Sequence, residues 1–434
     1  MKLSLEPLRG MRDILPPESE LLVWLCNRFR EVARSYGYRE VIAPTVERFE
    51  LFALKSGEEI RRSMYVFKDK AGREVALRPE LTPSVIRIYL RSLRAHPKPV
   101  RLFYVANVFR YDEPQFGRYR EFTQGGVEII GGASRYYDLE LIALLKDYYS
   151  EIGLKNYRFK IGHMGHMRAL ARRAGLDESE EERFLHLIDK RMFDEAKKML
   201  SRGGSVEVEV LERFISLESV DPAKLRMLSE EIREIGLNEV SEHLRELADF
   251  AEELSSLNVN YFVDLGFARG LAYYTGFIFE VVVPGMNISI AGGGRYDGLT
   301  ATYGGPPEAS TGFAIGIERT LIALKSQRGE ELGNVVEPRG RVLVIALSPQ
   351  LLGLAYRTAQ RLRRQGFAAL LEVSEPRKIS RWLSYAEKVG VRYVVIAGPR
   401  EAERGSVVVR DLVKWRQDEI PLDSIEEHLV SLEG

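Results

Sequence analysis

The stretch Val100–Gly132, VRLFYVANVFRYDEPQFGRYREFTQGGVEIIGG, constrains the fold more than any other part of the chain. Leu102, Tyr104, Ala106, Val108 and Arg110 alternate onto one side, and a turn containing Pro114 and Gly117 follows. Phe122, Gln124, Gly126, Glu128 and Ile130 then share a face, so the segment reads as two strands joined by a loop. Buried polar side chains cost free energy unless they are paired. A strand face carrying Gln124 and Glu128 between Phe122 and Ile130 is therefore a poor core face and a good floor for a small polar ligand. Arg110 and Arg118 bracket the loop, where guanidinium forks suit phosphate oxygens. The competing reading is a surface hairpin with solvated charges.

A chain of 434 residues has room for two or three domains. Lys plus Arg equals Asp plus Glu, 63 of each, so no global basic field advertises nucleic acid and a polyanion must be met by a local patch. A single cysteine, Cys26 in LLVWLCNRF, excludes an intramolecular disulfide and a thiolate-rich metal site, and its apolar setting reads as a buried, inert thiol. With no apolar run near the length of a membrane span and no signal-peptide pattern, a cytoplasmic protein is expected.

Taken in order, the chain predicts a first helix after Pro16–Pro17 that stops at Gly37, and a strand broken by Pro44 that suits a sheet edge or subunit boundary. A hairpin around Lys70–Gly72 leads to Arg78, Glu80 and Thr82 at a strand-to-helix step, where Thr82 as an N-cap and Glu80 as a dipole-matching acid are the structural alternatives to a ligand role. A helix over Asp138–Ile152 and a strand over Tyr157–Ile161 precede His163 and His166, a pair with no third metal ligand evident nearby. From Arg168 to Leu257 the pattern is helical and charge-dense, with an apolar stripe at Val240, Leu244, Leu247, Ala251 and Leu254. Strand signals return over Tyr273–Val283, and Gly292–Gly294 suit either close approach to a ligand or a turn. Glu318 and Arg319 open a helix, where an arginine opposes the helix dipole and so favours a ligand role. After a polar linker, alternating strands and helices predict a small α/β domain with a largely parallel sheet. Arg361, Arg363, Arg364, Arg377, Lys378 and Arg381 give that domain local positive charge.

Five ordered segments together carry a resemblance: RPELT (Arg78–Thr82), FRYDEPQFGRYREFTQGGVEIIG (Phe109–Gly131), ARGLAYYTGFIFE (Ala268–Glu280), AGGGRYDGL (Ala291–Leu299) and GFAIGIER (Gly312–Arg319). They resemble the histidyl-tRNA synthetases, which are class II aminoacyl-tRNA synthetases, and the resemblance spans nearly the whole chain. It implies an α+β catalytic domain (1–167 and 258–325) on a six-stranded antiparallel sheet of the class II type, a helical insertion (168–257) that helps clasp the tRNA acceptor arm, a linker (326–340) and a C-terminal α/β anticodon-binding domain (341–434). Tyr38–Phe49 matches the family's dimer-forming motif, so a homodimer is implied.

The implied reaction joins L-histidine to ATP, releases pyrophosphate, and transfers histidine from the adenylate to the 3′ end of histidine tRNA. By motif match, Arg110 and Arg269 hold the α-phosphate, Arg269 also meeting the histidine carboxylate, while Arg118 and Arg319 serve the rest of ATP. Glu80, Thr82 and Gln124 match residues at the α-amino group. Glu128 and Tyr274 match those at the imidazole, with Tyr273 and Tyr296 lining the same pocket. Gln115 matches a contact to the tRNA acceptor end. Mg²⁺ is implied as arriving with ATP, with no dedicated protein metal site. Two positions depart from the family pattern: Ala272 replaces an acid in RGLDYY, and Glu113 replaces a base in the loop. A non-catalytic paralogue, the regulatory subunit of ATP phosphoribosyltransferase, shares the core. It typically lacks the anticodon domain and the arginine matching Arg269, and both are present here.

Overall fold

The computed structural model describes residues 4–433 except 57, 218, 270–272, 333–339 and 375–377; Ala272 and Arg377 therefore lie outside the described residues. The chain divides into two compact units, residues 1–330 and 331–434.

The first unit is built on one sheet of eight strands: β1 (Arg39–Glu40), β5 (Val100–Phe109), β6 (Glu121–Ile130), β7 (Arg158–His163), β8 (Tyr261–Val263), β9 (Phe277–Val282), β10 (Ala291–Arg295) and β11 (Ser310–Gly316). A separate three-stranded sheet holds β2 (Val46–Arg48), β3 (Val66–Lys68) and β4 (Glu74–Leu77). The large sheet runs β1-β5-β6-β11-β10-β9-β7-β8. Its six central strands pair antiparallel, as the resemblance implies, and a short parallel strand extends each edge, β1 on β5 and β8 on β7. The expected Pro-broken strand is two strands in two sheets, because Pro44 lies between β1 and β2.

Helices α1 (Glu18–Ser35), α2 (Glu50–Ser56), α3 (Thr82–Ile88) and α4 (Tyr136–Glu151) precede a block of six: α5 (Met164–Arg173), α6 (Glu178–Asp189), α7 (Phe193–Leu200), α8 (Ser205–Ser216), α9 (Pro222–Glu234) and α10 (Asn238–Ser256). α11 (Leu299–Thr302) and α12 (Ile317–Arg328) follow. The block joins the parallel pair β7 and β8, and the predicted stripe on α10 is buried throughout. The boundary expected at 167/168 falls inside α5, and the one at 325/326 falls inside α12, since both helices continue unbroken across those positions.

Alternation in β6 sorts its residues to two sides. Phe29 of α1 lies against Gly125, where a Cβ would stand 3.1 Å from its ring, and Phe29 packs edge-on to Phe103, Tyr148 and Phe313. Val127 and Ile129 are buried with that core, which leaves Gln124, Gly126 and Glu128 for the opposite face.

The second unit carries the order β13-β12-β14-β15-β16: β12 (Arg341–Ala346), β13 (Ala368–Val373), β14 (Tyr393–Ala397), β15 (Ser406–Asp411) and β16 (Arg416–Pro421). The first three are parallel, but β15 and β16 add an antiparallel hairpin that corrects the expected largely parallel sheet. At least two of the six expected cations are engaged within the unit: Arg361 pairs with Asp423 at 2.7 Å and Glu426 at 3.0 Å, and Arg363 donates to the Ala369 carbonyl.

Candidate active site

The polar face of β6 floors a cleft of about 690 Å³. Glu80, Thr82, Arg110, Gln124, Glu128, Arg269, Tyr273, Tyr274, Tyr296 and Arg319 all line it, although they come from segments up to 239 positions apart. Arg118 lines an adjoining cavity that shares Ser289 and Arg319 with the cleft. Gln115 lies on the exposed loop, exchanging backbone hydrogen bonds with Arg118, and lines neither.

At the centre is Glu128, which is buried. One carboxyl oxygen accepts from the Thr82 hydroxyl at 2.7 Å and lies 3.4 Å from the Tyr104 hydroxyl; the other accepts from the Tyr296 hydroxyl. Burial and then the nearby Glu80 push its carboxyl up to about 8 against the opposing pull of these hydroxyl donors. Glu80 accepts from Tyr273 at 3.2 Å, and burial raises it too. Thr82 is thus not the N-cap of α3. Leu81 holds that position without a side-chain bond, and the Thr82 hydroxyl is turned to Glu128. Gln124 has a buried Oε1 with no hydrogen-bond partner among the described residues, an acceptor aimed at a donor that the protein does not supply.

The cleft's other end is cationic. Arg110 donates to the Pro79 carbonyl and lies over the Phe122 ring, while Arg319 donates to the carbonyls of Gly117 and Ser289. Among the described residues neither forms a salt bridge. Burial, then Arg110 and Arg118, pull Arg319 down to about 10. Arginines gathered on carbonyls rather than carboxylates keep their charge for a polyanion. Arg269 donates to the Phe279 carbonyl at 2.9 Å, faces the Tyr274 ring at 5.5 Å and stands 3.9 Å from Glu280. Glu318, by contrast, is structural: it accepts from the Thr123 backbone N–H and ties α12 to β6.

Two glycines make this packing possible. A methyl on Gly292 would overlap Nη1 of Arg269 and stand 2.6 Å from its Cζ; one on Gly312 would overlap the Glu128 carboxylate and stand 2.5 Å from the Val127 carbonyl. The glycine run of β10 is neither a turn nor a phosphate loop: Gly292 leaves room for the half-buried Arg269, while Gly293 and Gly294 lie against the backbones of β11 and β9. Tyr104 and Gly312 were not singled out from sequence as site residues; the pairing of Tyr104 with Gly126 across the hairpin puts it on the Gln124 side.

The histidine pair divides. His166 bonds the Leu265 carbonyl, and burial pulls it down to about 4. His163 caps α5 by accepting from the Gly165 N–H and stacks on His243 at 4.9 Å. His163, His243 and Glu246 bring three donor atoms within 4.8 Å of one another. With Nδ1 of His163 accepting a hydrogen bond, its Nε2 carries the proton and faces Glu246 as a donor at 3.5 Å, which suits a hydrogen-bonded cluster better than a metal.

The family model for histidyl-tRNA synthetase matches residues 10–320, and that for an anticodon binding domain matches 341–432. The chain belongs to the histidyl-tRNA synthetase family. It is 41% identical over 423 residues to a histidine–tRNA ligase of Saccharolobus solfataricus, covering 97% of each chain, and 42% identical over 429 residues to one of Sulfolobus acidocaldarius, covering 98% of each. The crystal structure of histidyl-tRNA synthetase from Nostoc sp. PCC 7120 superposes with a TM-score of 0.81 over 99% of this chain and 100% of that one, at 22% identity, a likeness of fold. The histidyl-tRNA synthetase family thus accounts for both units of the chain.

Proposed function

We propose that the cleft activates L-histidine with ATP and that the chain transfers it to histidine tRNA. The observation that carries this reading is the division of one cleft into a neutral, hydroxyl-rich pocket around Glu128 and a cationic end around Arg110, Arg269 and Arg319. The chain is an aminoacyl-tRNA synthetase, a histidine–tRNA ligase by family.

The imidazole of histidine enters beside Glu128 and Tyr274, with Tyr296 and Tyr104 orienting the carboxyl. An amino acid without ring nitrogens leaves these buried groups unpaired, which discriminates by ~10⁴-fold or more. The α-amino group donates to the orphaned Gln124 oxygen and to Glu80, with Thr82 beside them. Histidine's carboxylate oxygen attacks the α-phosphorus in line, and the bond to the pyrophosphate oxygen breaks. Arg110 and Arg269 stabilise the charge gathering on the α-phosphate oxygens, while Arg118 and Arg319 hold the distal phosphates. Glu280 and Asp189, which line the adjoining cavity, are the hard oxygen donors suited to Mg²⁺ brought by ATP. That ion neutralises charge on the departing phosphates. A ribose hydroxyl of the tRNA end then attacks the activated carbonyl near the loop that carries Gln115, the hydroxyl proton is lost, and the bond from that carbonyl carbon to the phosphate oxygen breaks to release AMP.

The partners belong to the same proposal. Ile42, 91% exposed, and the exposed Val46 lie in the Tyr38–Phe49 segment and suit a homodimer interface. The helical block over 168–257 approaches the tRNA acceptor arm, and the second unit reads the anticodon. Among the described residues no helix is long and apolar enough to cross a membrane, and a cytoplasmic site of action is proposed. The test is histidine-dependent exchange of labelled pyrophosphate into ATP, lost in Arg269→Ala; exchange that survives this substitution removes Arg269 from the chemistry.

A further inference from the structure

Among the described residues several helices are followed by a glycine in the left-handed region, including Gly37, Gly153, Gly175, Gly236, Gly366 and Gly390, with φ between +69° and +88°. That is the usual residue where a helix is closed by a reversed turn, because it lacks the Cβ that makes the conformation costly. Helix α6 ends in the same turn, with the Arg191 N–H donating to Ile188 O and the Met192 N–H to Leu187 O, yet the residue at φ +56° is Arg191. A strained backbone that one glycine would relieve points to a use for the side chain.

That side chain lines the cavity adjoining the cleft. Arg118, Lys160, Arg191 and Arg319 face it as cations, with Asp189 and Glu280 as carboxylates, and it meets the cleft at Ser289 and Arg319. Asp264 steadies two of the cations: its carboxylate lies 2.9 Å from the Lys160 ammonium and 3.8 Å from the Arg191 guanidinium. Lys160 comes from β7 and also sits over the Phe267 ring at 4.2 Å, so its head is held rather than free-swinging. Arginines and a lysine lining one cavity together with two carboxylates suit a polyphosphate that carries its own divalent cation.

Given the adenylating activity proposed above, in which this cavity takes the distal phosphates of ATP, we infer that Arg191 carries the helical block into contact with the departing magnesium pyrophosphate. As the carboxylate oxygen bonds to the α-phosphorus, the bond from that phosphorus to the oxygen shared with the β-phosphorus breaks. The electron pair leaves on pyrophosphate, directly into the cavity through Ser289 and Arg319. Lys160 and Arg191 receive its outer phosphate.

Arg191→Gly is a clean test because it removes the guanidinium while relaxing the backbone. The melting temperature should stay at or above that of the unaltered protein. Calorimetric titration of the full chain with magnesium pyrophosphate, without ATP or histidine, should show binding weakened by up to about fivefold, the effect of losing one exposed charged contact. In the exchange assay the KM for pyrophosphate should rise by a similar factor, with the KM for histidine within about twofold. Arg191→Lys, equally strained but still cationic, should recover most of the affinity. No binding by the unaltered protein, or equal binding by Arg191→Gly, overturns the inference. Absence of exchange in the unaltered protein instead overturns the adenylation reading, while the titration still decides the cavity.

Discussion

Gly292→Ala is a single-methyl change that should separate stability from catalysis. The new methyl would overlap Nη1 of Arg269, so the guanidinium must leave its place beneath the Phe279 carbonyl. Losing a hydrogen bond from a charged donor costs about 1.5–3 kcal/mol. Alanine in a strand interior returns about 0.5–1 kcal/mol relative to glycine. The net destabilisation should therefore be about 1–2 kcal/mol, small for a domain of this size. The displaced arginine is the proposed charge stabiliser at the α-phosphate, and removal of such a group costs about 10²–10³ in kcat. The assay is pyrophosphate exchange at saturating histidine and ATP, beside urea unfolding of the same preparation. A fall of that size in exchange with modest loss of stability supports the assignment. Unchanged exchange would show that the glycine run and Arg269 are not coupled, and the account of β10 would be wrong.

Three further outcomes follow from the same geometry. Because burial holds Glu128 protonated up to about pH 8 in the free protein and an imidazole N–H favours its carboxylate, histidine binding at pH 7 should release up to about one proton. Calorimetry in buffers of different ionisation enthalpy reads this, and the release should vanish in Glu128→Gln; its persistence there would assign the proton elsewhere. Gln124→Leu removes an unpartnered buried acceptor, so the unliganded protein should melt at a higher temperature while the KM for histidine rises at least about tenfold. A lower melting temperature would mean that oxygen is already satisfied. Arg295→Ala should cost about 3–5 kcal/mol, since it leaves Asp138 buried without the guanidinium now 2.8 Å away and also frees the Gly132 and Ser134 carbonyls. A loss below about 1 kcal/mol in urea unfolding would contradict this.

The sequence made the central hairpin legible because both strands are long and one face is marked by polar residues that a core would reject. The α10 stripe was legible for the same reason, a clean period over nineteen residues. Other features depend on partners remote in sequence. β1 has two residues and pairs with β5, so the strand expected around Pro44 gave no sign that it divides between two sheets. The β15–β16 hairpin mixes Val with Arg, Asp and Glu, and its turn carries Trp415 rather than glycine at positive φ. The Glu128 network joins residues 46 and 168 positions away, so the sequence placed Thr82 and Tyr296 at the histidine pocket only through the resemblance and could not show their bonds to Glu128. The glycines of β10 declared closeness to something, and only the fold shows that the neighbour of Gly292 is Arg269 and those of Gly293 and Gly294 are the flanking strands. Glu113, which departs from the family pattern, pairs with Arg9 at 2.8 Å on the exposed loop, a contact worth little to stability.

The central claim is that one cleft activates histidine and delivers it to tRNA. Incubating the full chain with ATP, Mg²⁺, labelled histidine and histidine tRNA tests it most directly. The account predicts acid-precipitable label on the tRNA that depends on ATP and is released by mild base as free histidine. Exchange of pyrophosphate without any label on tRNA would confine the chain to the first step, and neither reaction from folded protein would contradict the claim outright.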